Sequence, residues 1–198
     1  MKTKHILLCI GLLICPILKA QSQADSDKAY LATVTKRSDK ILAELQIADS
    51  VKYKQVREIM AKQYVDLNNL QLQKSEEQIA QKRTELHQHY VAQLSAQLTP
   101  AQVEKIKDGM TYGVLPVTYK AYTDMIPTLK EEEKSQIMSW LKEARELAMD
   151  GGSSEEKHKV FGKYKGRINN YLSERGYNIQ EERVNWEGRM KASKSNGR

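Results

Sequence analysis

Apolar side chains recur three and four positions apart along almost the whole chain, and that spacing admits one fold class. Tyr30, Val34, Ile41 and Leu45 form one such set. Ile137, Leu141, Ala144 and Ala148 form another, and Phe161, Tyr164, Ile168, Tyr171 and Leu172 a third. At 3.6 residues per turn each set lines one side of a helix. Strands need alternation instead, and alternation is rare here. Only four prolines and ten glycines interrupt 198 residues that are rich in Ala, Leu, Glu, Lys and Gln, the good helix formers. The expected fold is all-α, with about five to six helices in an irregular antiparallel bundle.

Local signals divide the pattern. A first helix is expected from about Asp27 to Gln46. Asp49 is placed to cap the next, whose stripe is Val56, Ile59, Tyr64, Leu67 and Leu70. Ile79, Leu86, Tyr90 and Leu94 continue it among very polar neighbours. Unbroken to Gln97 this helix would be about 70 Å long at 1.5 Å per residue. A long polar helical arm, kinked or doubled back near Asn68-Asn69, is therefore expected. Leu98-Thr99-Pro100-Ala101-Gln102-Val103 carries the sharpest boundary. Thr99 suits the cap, Pro100 the first turn, Gln102 the reciprocal bond of a capping box, and Leu98 with Val103 the flanking hydrophobic staple. Gly109, Gly113 and Pro116 should end that helix. A short helix over Tyr119–Ile126, a long one over Thr128–Met149, the turn Asp150-Gly151-Gly152-Ser153 and a last helix over Ser154–Arg175 follow. Ser153 with Glu156 repeats the capping-box pattern. Residues 181–198 are polar and basic and read as a flexible tail, with Val184 and Trp186 its only docking residues.

The chain opens on Lys2, Lys4 and His5, then an apolar run from Ile6 to Leu18, then Lys19-Ala20-Gln21. That is the layout of a secretory leader cut after Ala20. The run is too short for a membrane-spanning helix, which needs about 20 residues. Residues 1–20 are thus expected to be a signal peptide and 21–180 a single helical domain in the periplasm or outside the cell. Cys9 and Cys15 would leave with the leader, so neither disulfide nor thiol chemistry is expected. The formal net charge of +7 would fall to +4 with Lys2, Lys4 and Lys19 gone. Nucleic acid is a poor partner for an exported chain of that charge, and no later stretch is apolar enough to span a membrane.

The block YKAYTDMIPTL, the stretch LKEARELAMDGGSSEEKHKVFGKYKGRINNYLSERGY and the upstream LTPAQVEKIKDGMTYGVLPVTY together resemble an exported bacterial family catalogued as domain of unknown function 3826. The resemblance covers most of the sequence beyond the leader. It implies a helical core and a setting beside polysaccharide-degrading enzymes, with no activity attached. The Leu98–Gln102 motif is also similar to the LTxxQ signature of Spy-type periplasmic chaperones, which carry paired copies where this chain has one strict copy.

Candidate site residues lie on the last two long helices. Around the last helix, His158, Lys165 and Asn169 fall between the core stripe and solvent, and Arg145 holds the matching edge of the helix before it. An antiparallel hairpin would level Arg145 with His158, so that Arg145, His158, Lys165 and Asn169, with Asp150 at the turn, form a cationic rim for a carboxylate, sulfate or sugar acid. The competing reading is a set of helix-edge residues bonded to one another and to water. Lys159, Lys163 and Arg167, four apart, form a second candidate, an anion-binding comb, or else an ordinary solvated face. Gly162 and Gly166, and likewise Gly109 and Gly113, each cost about 1 kcal/mol in a helix interior; close helix packing is the favoured offset and ligand approach the other. Tyr112, Tyr119 and Tyr122 read as core, with sugar stacking as the alternative.

No nucleophile–base pair, phosphate loop, cofactor motif or complete metal set stands out. His87 and His89 point to different sides of a helix, and Glu155-x-x-His158 is half of a di-iron pattern. The chain reads as a non-catalytic binding or accessory protein for an acidic carbohydrate or a protein partner. The alternatives are an enzyme acting on acidic polysaccharide fragments and a Spy-like chaperone.

Overall fold

The computed structural model describes residues 15–70 and 76–196 of the chain, with side chains described over 23–70 and 76–194. Most of the expected leader, residues 1–14, lies outside the described residues, as do residues 71–75; Asn68 and Asn69, where the polar arm was expected to kink or double back, are still helical and belong to the last turn of α2.

Among the described residues there are eight α-helices and no strand. They are α1 (Cys15–Leu42), α2 (Ser50–Leu70), α3 (Glu76–Gln97), α4 (Pro100–Met110), α5 (Val114–Met125), α6 (Glu131–Met149), α7 (Ser154–Glu174) and α8 (Ile179–Asn196). A 3-10 turn, Ala43–Leu45, closes α1. The count exceeds the expected five to six for two reasons. The long polar stretch is two helices, α2 and α3, packed on each other, so the arm is a hairpin. The basic segment after Gln180 is helical too. It lacks a continuous apolar stripe, which is why periodicity did not reveal it. Trp186 and Ile179 nevertheless pack on the core while Val184 stays exposed. Arg189 Nη2 donates to the Asp124 and Met125 carbonyls at the end of α5, both at 2.9 Å, satisfying carbonyls that a helix C-terminus leaves open.

The caps follow the sequence closely. Thr99 Oγ1 accepts from the Gln102 N–H at 3.3 Å and Gln102 Oε1 accepts from the Thr99 N–H at 3.1 Å. Leu98 and Val103 are both buried beneath this box. Asp49 accepts from the N–H groups of Val51 and Lys52 at the start of α2. Helix α5 begins earlier than expected, because Pro116 sits in its first turn, where no intrahelical N–H is required.

Two apolar clusters hold the helices. Val34 and Leu42 of α1, Val56 and Met60 of α2, Tyr90 and Leu94 of α3, and Ile106 and Met110 of α4 form the first. Leu115, Ile126, Ile137, Leu141, Phe161, Ile168 and Leu172 form the second, over α5 to α7. Each fully buried Leu, Ile or Phe stabilises by about 1.5–3 kcal/mol. Helix α6 joins the two, since its last residue, Met149, belongs to the first cluster. Gly109 makes the α1–α4 contact close: a Cβ there would lie 2.7 Å from Ile41 Cγ2. At this glycine the favoured sequence reading, close packing, holds.

Candidate functional site

The α6–α7 hairpin turns through Asp150, Gly151 and Gly152. Ser153 Oγ caps α7 by accepting from the Glu156 N–H at 3.1 Å, and Glu156 accepts in turn from the Gly152 N–H at 2.9 Å. Lys157 then runs back beneath the turn. Its buried Nζ donates to the Ala148 and Met149 carbonyls at 3.0 and 2.9 Å, tying off the end of α6. Burial pulls its pKa down to about 8, against the nearby Asp150 charge.

The two candidate rims face the same neighbour, α4 and the chain just beyond it. Arg145 is 3% exposed. Its Nη1 donates to Asp108 at 2.8 Å, and its Nη2 donates to Glu104 at 2.6 Å and to Glu146 at 3.2 Å. Lys107 donates to the other side of Glu146 at 2.8 Å. His87 of α3 completes the group, with Nδ1 3.0 Å from Asp150 and Nε2 3.4 Å from Glu146. The hydrogen bonds to Asp150 and then to Glu146 raise the imidazole to about 9 despite partial burial. Burial by itself would raise the Glu146 carboxyl. The bonds from His87 and Lys107 and the Arg145 charge overcome it and hold the pKa at about 2. Arg145, Lys107 and protonated His87 therefore face Glu104, Asp108, Glu146 and Asp150. Three cations and four carboxylates thus form one connected network that bridges the two apolar clusters.

The remaining candidates also meet protein groups. His158 stacks on Tyr112, centroids 5.8 Å apart and planes 13° from parallel. Asn169 Oδ1 accepts from the Tyr122 hydroxyl at 2.6 Å, and the Lys165 carbonyl lies 3.3 Å from the same hydroxyl. The Lys165 side chain is exposed. The structure thus brings Arg145 and Asp150 into one charge network and places His158 and Asn169 against two tyrosines. It does not gather the five around one opening: α4 buries Arg145, Tyr122 of α5 holds Asn169, and His158 and Lys165 stay exposed.

The comb lies on the other side of the hairpin and is open. Lys159 and Lys163 are exposed and carry no ion pair among the described residues. Arg167 lies 3.7 Å from Glu143 and spreads over the Trp140 ring at 4.4 Å. Trp140 and Tyr171 are packed edge to face, centroids 5.0 Å apart, and Arg175 covers Tyr171 at 3.6 Å. Two shallow grooves meet at Lys163. One is flanked by Arg83, exposed Leu147 and Val160, the other by Trp140, Gly166, Arg167 and Tyr171.

The sequence favoured close packing at Gly162 and Gly166, and the structure corrects this. A Cβ at either would meet nothing within 4 Å. Both leave bare backbone on the open surface of a helix, at a cost that no neighbouring helix offsets. Gly162→Ala and Gly166→Ala are each expected to stabilise the fold by about 0.5–1 kcal/mol, as a urea titration would measure. A loss of stability would show that a contact at that surface had been overlooked.

Sequence reasoning missed His87, Lys157 and the backbone at Tyr112, whose φ of 59° lies in the left-handed region. The partners of His87 are more than fifty residues away, and no local pattern marks them.

Among curated proteins, none matches the chain. Residues 31–75 and 68–192 match the model of a family described as protein of unknown function (DUF3826). Nearly all of the helical core falls inside these matches, so the chain belongs to the DUF3826 family.

Proposed function

We propose that this is a non-catalytic binding protein for acidic polysaccharide, that the outer side of the α6–α7 hairpin is its binding surface, and that it works outside the cytoplasm. The observation that carries the reading is the open basic comb beside aromatic rings. Lys159, Lys163 and Arg167 succeed one another about 6 Å apart along α7, comparable to the repeat of carboxylates along a uronic-acid chain. Trp140 and Tyr171 flank them, and the Trp140 ring holds the Arg167 head in place at the end of the comb, a cation–π contact. The glycine backbone at 162 and 166 lets an extended chain approach closely. Each exposed cation contributes little alone, so affinity comes from several contacts at once and weakens with salt.

The polysaccharide setting implied by the family resemblance agrees with this chemistry. The LTxxQ-like motif adds no support for a chaperone, because Thr99, Gln102, Leu98 and Val103 are fully used in capping and packing.

Affinity electrophoresis tests the reading. The protein should be retarded in gels containing polygalacturonate and not in gels containing neutral dextran. Lys159→Glu with Lys163→Glu should abolish the retardation, since both residues lack partners and their loss leaves the fold intact. Equal mobility in both gels, or retardation that survives the double charge reversal, would overturn it.

A further inference from the structure

A second opening lies on the far side of the network, between α1 and α4. Its lining comes from one side of each helix: Lys36, Arg37 and Lys40 from α1, Lys105 and Asp108 from α4, and Tyr112 just beyond. Ile41 seated against Gly109 forms part of its wall, and the cavity measures about 940 Å3, at the upper end of the usual size for small-ligand clefts.

Two independent features make this cleft more than a gap between helices. The first is charge. Lys36, Lys40 and Lys105 have no ion pair among the described residues, and Arg37 is held over the Tyr64 ring at 5.3 Å. Of the two acids in the lining, Glu44 and Asp108, the second is already spent on Arg145 at 2.8 Å. Positive charge is therefore in excess and uncompensated. The second is Tyr112. A bulky residue at φ 59° is strained, and such strain persists only where the surroundings hold it, most often at binding and catalytic positions. Gly113 follows at φ 66°, so two left-handed residues in succession turn the chain between α4 and α5. Tyr112 is 47% exposed, so the turn is held by the Gly113 N–H bond to the Asp108 carbonyl at 2.8 Å and not by burial of the side chain, which is left facing the cleft. His158 backs the ring and fixes its plane.

We infer that the α1–α4 cleft is a binding site for a compact cyclic carboxylate, a single sugar acid in its ring form, with the carboxylate met by Lys36, Lys40 and Lys105 and the ring lying on Tyr112. This site is separate from the comb on α7 and stands on different residues, so failure of either reading leaves the other intact.

Isothermal titration of the full chain with glucuronate and galacturonate, at constant ionic strength, tests the inference. Glucose, inorganic phosphate and benzoate serve as the ring without charge, the charge without ring, and a flat aromatic acid. At least one hexuronate should bind, and more tightly than all three controls. Lys36→Gln with Lys40→Gln should weaken that binding at least about tenfold. So should Tyr112→Asn, because asparagine tolerates the left-handed backbone and removes only the ring. Lys159→Glu with Lys163→Glu should leave it unchanged. No hexuronate binding overturns the inference. Phosphate binding as tightly as the hexuronate overturns the role of the ring, and tighter benzoate binding overturns the assignment to a sugar. Unaltered affinity in both cleft variants places the ligand elsewhere.

Discussion

Replacing Arg145 by alanine is expected to cost about 3 kcal/mol of folding stability, as measured by urea denaturation. The guanidinium is almost wholly buried and bonds to three carboxylates, on α4 and on α6 itself. Removing one member of a buried charge cluster typically costs about 3–5 kcal/mol, because the remaining charges stay without compensation. The lower end applies here, since Glu104 and Asp108 are 46% and 30% exposed and water takes up part of the loss. Arg145→Lys should recover only part of the difference, because a single ammonium cannot span Asp108 and Glu104 as the planar fork does. The α4–α6 bridge also couples the two apolar clusters. In Arg145→Ala, fluorescence of Trp140 and Trp186 in the second cluster and helix loss followed by circular dichroism should no longer give coincident transitions. A cost below about 1 kcal/mol, with transitions still superimposed, would show that the clusters are joined by apolar packing alone.

This also explains how much of the site was legible. Stripes such as Ile137, Leu141, Ala144 and Ala148 fix which side of α6 is buried, and the structure buries all four. They place Arg145 at the edge of the stripe. Whether an edge residue meets water or a third helix depends on elements far away in sequence. Helix α4, thirty-seven residues upstream at Asp108, covers this edge. The caps at Thr99 and Asp49 were readable because both partners lie within three residues. His87 was not, because its partner Asp150 is sixty-three residues distant. The spacing of His87 and His89 bears on shared metal ligation and says nothing of ion pairs. Helix α8 escaped detection because Trp186 is its single large aromatic and Arg189 secures it through backbone carbonyls, which leave no apolar period. The glycines divide in the same way. Composition announces a cost at Gly109, Gly162 and Gly166 alike. Only the packing separates the one that admits Ile41 from the two that face open space.

His87 should lower stability by about 2 kcal/mol as pH rises from 6.5 to 9. Its hydrogen bonds to Asp150 and Glu146 raise its pKa from 6.5 to about 9 in the folded protein. Below pH 6.5 the imidazole is charged whether the chain is folded or not, and its bridge from α3 to α6 contributes in full. Between 6.5 and 9 the unfolded chain gives up the proton and the folded protein keeps it, so stability declines as pH rises; above 9 the contribution is gone. At about 1.4 kcal/mol per unit the full shift would amount to about 3.5 kcal/mol. The side chain retains 21% of its exposure, and solvent screening reduces that figure. Beside His87, Glu146 is ionised down to about pH 2 and Arg145 is held charged. Lys157, near Asp150, acts in the opposite sense and at higher pH. Burial brings its pKa down from 10.5 to about 8, so it adds stability as pH rises through that interval. The difference between wild type and His87→Gln isolates the histidine. Urea midpoints measured at pH 6 and pH 9 should show the variant less stable than wild type at the lower value and nearly equal to it at the higher. Parallel declines in the two proteins would mean that the α3–α6 bridge carries no net charge energy and that the α4–α6 bonds and the packing of Met149 hold the two clusters together.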